Sequence, residues 1–118
     1  MLTRILSRTA QMVAIVGICL TVANGAQAAE QWTGWGVINQ IEAGWSADTM
    51  AVTHSASIVN PDGCAVTNYG YATDPNDSGR SLFHTVALTA FMNKKKVALL
   101  IAGCVYNKPK IIAVKIVH

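Results

Sequence analysis

Side chains that could carry out chemistry are few in this chain of 118 residues. The three histidines, His54, His84 and His118, could act as bases, and serine and aspartate residues are also present. No serine lies in a nucleophile elbow, and no partner that would orient a histidine stands at a recognisable spacing. The residues therefore predict a protein that is not an enzyme.

Two cysteines, Cys64 and Cys104, remain once the first 28 residues are set aside. A metal site would need further ligands at close spacing, and the scattered histidines supply none. Asp74, Asn76 and Asp77 could open a calcium loop, but the closing acidic ligand of an EF-hand loop is missing. We expect no metal or cofactor, and a Cys64–Cys104 disulfide in an exported protein. Closing a loop of about 40 residues would contribute roughly 3–4 kcal/mol in the chain-entropy model.

The first 28 residues have the three parts of a secretory signal. Arg4 and Arg8 give a positive start, residues 12–23 form the apolar core, and Ala26-Gln27-Ala28 provides an A-x-A cleavage site. The alternative, a membrane anchor, would need roughly 20 apolar residues. We expect cleavage between Ala28 and Ala29, export to the periplasm or beyond the cell, and one mature domain over residues 29–118 that does not stay inserted in a membrane.

Charge and composition narrow the partners of that domain. Removing Arg4 and Arg8 from nine bases leaves seven against six acids, so the net charge falls from +3 to about +1. A nearly neutral exported domain is a poor fit to nucleic acid. With 52% hydrophobic and 13% charged residues, the chain is also too apolar for a disordered protein.

Five stretches have the patterns of β-strands. They are residues 32–44, 49–59, 64–73, 97–102 and 111–117. Gly34 and Gly36 predict a sharp bend, a bulge or a close backbone approach in the first strand. His54 falls on the apolar face of the second strand, which favours a packed core histidine. The fourth, VALLIA, is apolar throughout, as a strand covered on both faces would be.

One amphipathic helix precedes that fourth strand. It is expected to start near Gly79, with Asp77 or Ser78 as N-cap. Its apolar stripe has a helical period and comprises Leu82, Phe83, Val86, Ala87, Ala90 and Phe91. His84 is interpreted as a solvated residue of the polar face, and Leu88 as an apolar exception there. Residues 94–96, three lysines, are interpreted as charges at the helix C-terminus rather than a partner-binding patch.

The order of these elements predicts a mainly β fold. A helix between the third and fourth of five strands is the arrangement of the OB-fold, a Greek-key barrel. We therefore predict a five-stranded OB-fold-like barrel with one helix between strands three and four. A split sandwich, or an α+β sheet packed on one helix, is the alternative.

Three stretches of the mature chain resemble a family of exported OB-fold proteins. They are Trp35-Gly36 with the strand that follows, Asn60-Pro61 before Cys64, and the run SLFHTVALTAFMNKKKVALLIAGC. On them the chain is similar to small secreted relatives of the binding (B) subunits of bacterial AB5-type toxins, especially the subtilase-cytotoxin B-subunit type. The resemblance implies a pentamer whose helices line a central pore, and binding to cell-surface glycans.

Candidate ligand contacts are aromatic residues with hydroxylated neighbours, because a ring stacks on the apolar face of a sugar while hydroxyls are hydrogen-bonded. The candidates are Trp35, Trp45, Thr53, Ser55, Tyr69 and Tyr71. We therefore expect an exported, non-catalytic module that binds a glycan or a protein and forms a homo-oligomer. The alternative is a structural or interaction protein of the periplasm or envelope.

Overall fold

A six-stranded sheet and a single helix make up the described part of the chain. The computed structural model describes residues 28–44, 47–68 and 70–118. The strands are β1 (Gln31–Trp32), β2 (Ile38–Ala43), β3 (Met50–His54), β4 (Tyr71–Thr73), β5 (Val97–Val105) and β6 (Lys108–Ile116), and the helix is α1 (Arg80–Met92). Their order across the sheet is β1-β5-β6-β4-β3-β2. All neighbours are antiparallel except β4 and β6, which are parallel.

The first predicted strand is divided into two, so six strands replace the expected five. Gly36 approaches residue 55 so closely that a Cβ at this position would lie 2.5 Å from the Ser55 hydroxyl. Before this point the chain pairs with β5, and after it the chain pairs with β3. Only scattered bonds to β5 bridge the break, such as Gly36 N–H to the Val97 carbonyl at 3.0 Å. The paired strands form an open sheet that ends at β1 and β2, and the predicted closed barrel is not found.

The middle strands are shorter than predicted and the last two are longer. β3 ends at His54 because Ser55 turns to pair with Val37 through its own N–H and hydroxyl. Residues 64–68 form a loop, so that only three residues of the third predicted strand are β4. β5 and β6 meet at Tyr106 and Asn107, both with positive φ, as a two-residue type I′ hairpin requires.

The core lies between the helix and the inner face of the sheet. Its buried residues are Ile38, Met50, Val52, Tyr71, Ala87, Ala90, Val97, Leu99, Ile101 and Ile111. The interpretation of VALLIA as a covered strand is confirmed, since five of its residues are buried and Leu100 is partly so. His54 is a packed core residue as expected, 9% exposed, with Nε2 3.1 Å from the Val97 carbonyl.

The helix begins after Gly79, close to the predicted start. No side chain caps its first turn directly, and the Asp77 carboxylate instead accepts a hydrogen bond from the Gly79 N–H at 2.8 Å. The predicted apolar stripe is only partly right. Ala87 and Ala90 are buried, but Leu82 is 71% exposed and Phe91 38% exposed. Small residues form the closest contact with the sheet, and this places the larger flanking side chains outside it.

The predicted disulfide is confirmed. Cys64 and Cys104 are bonded, with their Cα atoms 5.7 Å apart. The bond fastens the loop before β4 to the end of β5. Asn60 reinforces that loop because its side-chain amide both donates to the Cys64 carbonyl and accepts from the Cys64 N–H, at 2.9 and 2.8 Å.

Candidate functional site

Polar side chains collect on the outer face of β2 and β3. In the strand register, Gln40 lies opposite Thr53 and Glu42 lies opposite Ala51. Val52 points into the core, and successive side chains of a strand alternate, so Thr53 and Ala51 face away from the core. Residues Gln40, Glu42, Ala51, Thr53 and Asn68 together line a recess, here called the outer groove.

The outer groove is small and shallow. Its volume is about 190 Å³, against about 30 Å³ for one water molecule in the liquid. Ala51 leaves room between the longer side chains because it carries only a methyl group. A groove of this size can hold one sugar ring or one side chain of a partner, with the rest of the ligand outside it.

Hydrogen-bonding groups dominate the groove. The Gln40 amide nitrogen donates to the Glu42 carboxylate at 2.8 Å, which fixes both side chains. A carboxylate offers about four acceptor sites, so acceptors remain for a ligand. Glu42 is the single charged residue among the five that line the groove. The charge therefore favours a neutral or cationic ligand over an anionic one.

Trp35 stands beyond the groove, in the segment that joins β1 and β2. Its side chain is 53% exposed. Ser55 holds this segment in place: its hydroxyl accepts from the Val37 N–H at 2.8 Å, and its own N–H donates to the Val37 carbonyl at 3.0 Å. Ser55 thus fixes the backbone two residues after Trp35, and its hydroxyl is already engaged.

The structure brings three of the six predicted contact residues to one region. Thr53 and Ser55 are two positions apart, and Trp35 lies in the segment that Ser55 holds. Trp45 and Tyr69 lie outside the described residues. Tyr71 is 1% exposed, and its hydroxyl accepts from the Val59 N–H at 2.8 Å. Burial raises the pKa of this phenol. The Tyr71 ring belongs to the core and has no face on which a sugar could stack.

The sequence reasoning missed most of the groove. Gln40, Glu42 and Asn68 are ordinary polar residues with no motif around them. A signal did exist in the alternation of β2, but a bulge between Ile38 and Gln40 shifts the register. Strict alternation from Ile38 would place Gln40 on the core face, whereas the bulge places Gln40 opposite Thr53 on the outer face.

A second polar cluster joins the helix to the sheet and corrects the interpretation of His84. His84 is only partly exposed, and its Nε2 lies 2.7 Å from the Thr73 hydroxyl. Its Nδ1 lies 4.0 Å from the Asp48 carboxylate, which also accepts from Arg80 Nε at 2.7 Å. Burial lowers the pKa of His84; Asp48 opposes this shift and Arg80 adds to it. The hydrogen bond from Arg80 holds the pKa of Asp48 below its ordinary value.

This cluster has the residue types of a hydrolytic triad but not its geometry. The Thr73 side chain is 1% exposed, so its hydroxyl cannot reach a substrate. The same hydroxyl accepts from the Met50 N–H at 2.9 Å. His84 and Thr73 therefore serve as a structural link between α1 and the β3–β4 pair.

The outer face of the helix is apolar. Leu82, Leu88 and Met92 are 71%, 46% and 73% exposed. Between them, the hydroxyls of Thr85 and Thr89 donate to carbonyls one turn earlier, at 2.8 and 2.7 Å, so these two donors are used within the helix. These five residues are called the helix outer face below.

Within the described ranges, no group of three or more histidine, cysteine or acidic residues is placed to hold a metal ion. Nor does the part of the chain that the structure describes contain a helix long and apolar enough to cross a membrane. In comparisons with known proteins, no family model, curated protein or solved structure matches this chain.

Proposed function

We propose that the protein is an exported, non-catalytic module that binds a neutral glycan through the outer groove. The observation that carries this proposal is the groove itself, where Gln40, Glu42, Thr53 and Asn68 surround a small alanine floor. Trp35 supplies an exposed ring at the end of the same pair of strands. One sugar would sit in the groove.

The chemistry of the groove suits sugar hydroxyls. Amide and carboxylate groups accept and donate paired hydrogen bonds, and the Gln40–Glu42 bond holds two of them ready. Glu42 would repel a phosphate or a carboxylated sugar, since none of the described residues that line the groove is basic and could offset its charge. We therefore favour a neutral saccharide over an anionic saccharide or a nucleic acid.

We also propose that the open sheet is a variant of the OB-fold. In support, β1 and β2 are consecutive segments at opposite sheet edges, β4 and β6 are parallel, and the helix lies between β4 and β5. OB-folds commonly bind oligosaccharides on the face of their second and third strands. Those strands correspond here to β3 and β4, so the outer groove shares β3 with that face. The Cys64–Cys104 disulfide supports export, since such bonds persist in oxidising compartments. Kinship with the toxin-subunit type remains part of this proposal.

A glycan array probed with the exported protein tests the function. We expect binding to one or more neutral saccharides, at least tenfold weaker in a Glu42→Gln variant, because a hydrogen bond to a charged group contributes about 1.5–3 kcal/mol. Glu30→Gln is the matched control, since Glu30 is exposed and lies outside the groove. An array without signal, or equal affinities for both variants, would contradict the proposal.

A second candidate function is self-association or protein binding through the helix outer face. Three large apolar side chains with exposed fractions of 46% to 73% on one helix favour it. In this case the domain would act as a scaffold of the periplasm or envelope, or as one subunit of a ring. The oligomeric state in solution separates the two candidates.

A further inference from the structure

The Asp62 carboxylate lies beside the residue at which the mature chain is expected to begin. Its Oδ1 accepts from the Ala29 N–H at 3.0 Å. Its Oδ2 accepts from the Gly103 N–H at 2.6 Å. Ala28 lies against the same place, with its Cβ 3.8 Å from the position of a Cβ built on Gly103.

We propose that Asp62 is the binding site for the ammonium group that signal cleavage creates on Ala29. Two independent observations meet at one atom. The A-x-A pattern at residues 26–28 places the cut before Ala29. In the structure, the backbone nitrogen of Ala29 donates to a carboxylate. The inference rests on the export proposed above.

Cleavage changes the chemistry of this contact. Hydrolysis of the Ala28–Ala29 bond by a signal peptidase consumes one water molecule, leaving a carboxylate on Ala28 and an amine on Ala29. A free α-amino group has an ordinary pKa of about 7.7–8.0, so at neutral pH it is mostly protonated. The bond from a neutral amide N–H to the Asp62 carboxylate in the precursor thereby becomes an ion pair between two charged groups. The ion pair exists only after the leader is removed.

The position of Asp62 is fixed from both sides. It lies in the turn formed by residues 60–63, closed by a bond from the Gly63 N–H to the Asn60 carbonyl. Two residues later comes Cys64, whose disulfide partner Cys104 follows Gly103. The carboxylate is therefore held between the bulge of β5 and Ala29, the residue at which the mature chain is expected to begin.

The expected consequence is a tied N-terminal strand. β1 has only two residues, paired through Gln31 with Ile101 and Trp32 with Leu100. A strand this short at a sheet edge is prone to fray. An ion pair two residues before Gln31 would hold it on β5 in the mature protein, and less so in the precursor.

The test uses the full chain, exported and processed by a bacterial host. Mass spectrometry first establishes the new N-terminus, which we expect to be Ala29. The rate at which an acylating reagent modifies the Ala29 amine at pH 7 is then compared with that of an Asp62→Asn variant. An exposed ion pair contributes about 0.2–1 kcal/mol, so the variant should react about 1.4 to 5 times faster.

Two controls separate the ion pair from other effects. Glu30→Gln removes a neighbouring charge and should change the rate less than Asp62→Asn does. Insertion of Gly-Ser between Ala28 and Ala29 moves the ammonium off the site, so Asp62→Asn should then have no effect on the amine. A mature chain that starts elsewhere overturns both the cleavage site and the ion pair. A start at Ala29 with equal acylation rates in the wild type and Asp62→Asn overturns the ion pair alone and leaves export standing.

Discussion

The environment of His84 in the structure differs from the one that the sequence predicts. On a helical wheel it belongs to the polar face, but in the fold it lies between the helix and Thr73 at the end of β4. The neutral imidazole can accept the Thr73 hydroxyl proton through Nε2, while Nδ1 faces Asp48 at 4.0 Å. Because burial is the largest influence on the His84 pKa, the fold favours the uncharged ring.

This preference predicts a pH dependence of stability. The pKa of His84 is lowered in the folded protein from the ordinary value of 6.5. As the pH falls below 6.5 the unfolded chain gains this proton first, so stability is lost; above that value it is fully present. Urea unfolding between pH 5 and 8 measures the effect, a range in which Asp48 stays ionised.

Two histidine variants make the assignment specific. His84→Gln should flatten the decline toward pH 5, and should cost about 0.5–1.5 kcal/mol at pH 8 for the altered hydrogen bond to Thr73. His118→Gln, at an exposed terminal residue, should leave the profile unchanged. If the His84 variant kept the full decline, another group would be responsible.

At the scale of elements, the break between β1 and β2 decides the architecture. Gly36 sits where a Cβ would lie 2.5 Å from Ser55 Oγ and 3.0 Å from His54 Cε1. Gly34, two residues earlier, would place a Cβ at 3.6 Å from that of Ala56, an ordinary contact. One glycine is needed for close approach, and the other is not.

Alanine at these two positions gives a matched pair. Gly36→Ala should lower the free energy of unfolding by about 1–3 kcal/mol, because the Ser55 hydroxyl must leave its bond to Val37. Gly34→Ala should be neutral or stabilising by up to about 1 kcal/mol, through a less flexible unfolded chain. Denaturant midpoints and slopes of both variants give these values. Equal losses would mean that the close approach at Gly36 is not the cause.

The elements also show what a sequence pattern can and cannot predict. VALLIA and the two cysteines are local or compositional signals, and both interpretations are confirmed. The glycines predicted a bend, but not that the two halves of one stretch would pair with β5 and β3. The predicted apolar stripe of the helix was too broad, because periodicity does not show which of its residues are buried against the sheet. Ala87 and Ala90 are buried, whereas Leu82 is exposed to solvent.

The candidate site was less predictable than the fold. Aromatic residues were predicted as ligand contacts because their rings can stack on sugars, yet Tyr71 packs in the core. Gln40, Glu42 and Asn68 form a site only because the fold places them around Ala51. A cross-strand recess depends on pairing between distant segments, and no local spacing encodes it.

At the scale of the whole molecule, the ties and the open surfaces lie in different places. The disulfide, the Asp62 bonds and a 2.8 Å bond from the Val66 N–H to the Asn107 carbonyl fasten residues 62–66 to the β5–β6 hairpin. The outer groove lies on β2 and β3, and in the sheet order two strands, β6 and β4, separate β3 from β5. The helix outer face is a third region, and none of these bonds involves it.

The exposed apolar side chains of the helix outer face predict self-association of the whole molecule. Leu88 and Met92 are neighbours one turn apart on the helix outer face, 46% and 73% exposed. Complete burial of a fully exposed leucine or methionine contributes about 1.5–3 kcal/mol, and a second copy could bury the fraction of each side chain that is still exposed. Size-exclusion chromatography with light scattering should therefore show an oligomer for the wild type and a monomer for Leu88→Ser/Met92→Ser. Five subunits would match the toxin-subunit resemblance.

Stability and a matched apolar residue distinguish a lost interface from a damaged fold. The double variant should unfold within about 0.5 kcal/mol per substitution of the wild-type domain when compared as monomers, since both side chains point outward. Ile58→Ser removes an equally exposed side chain, 49%, outside the helix, and should leave the oligomer intact. A wild type that stays monomeric at the highest concentration reached would contradict self-association, and with it the ring. The glycan proposal for the outer groove would still stand, because one chain supplies all the residues named for that groove.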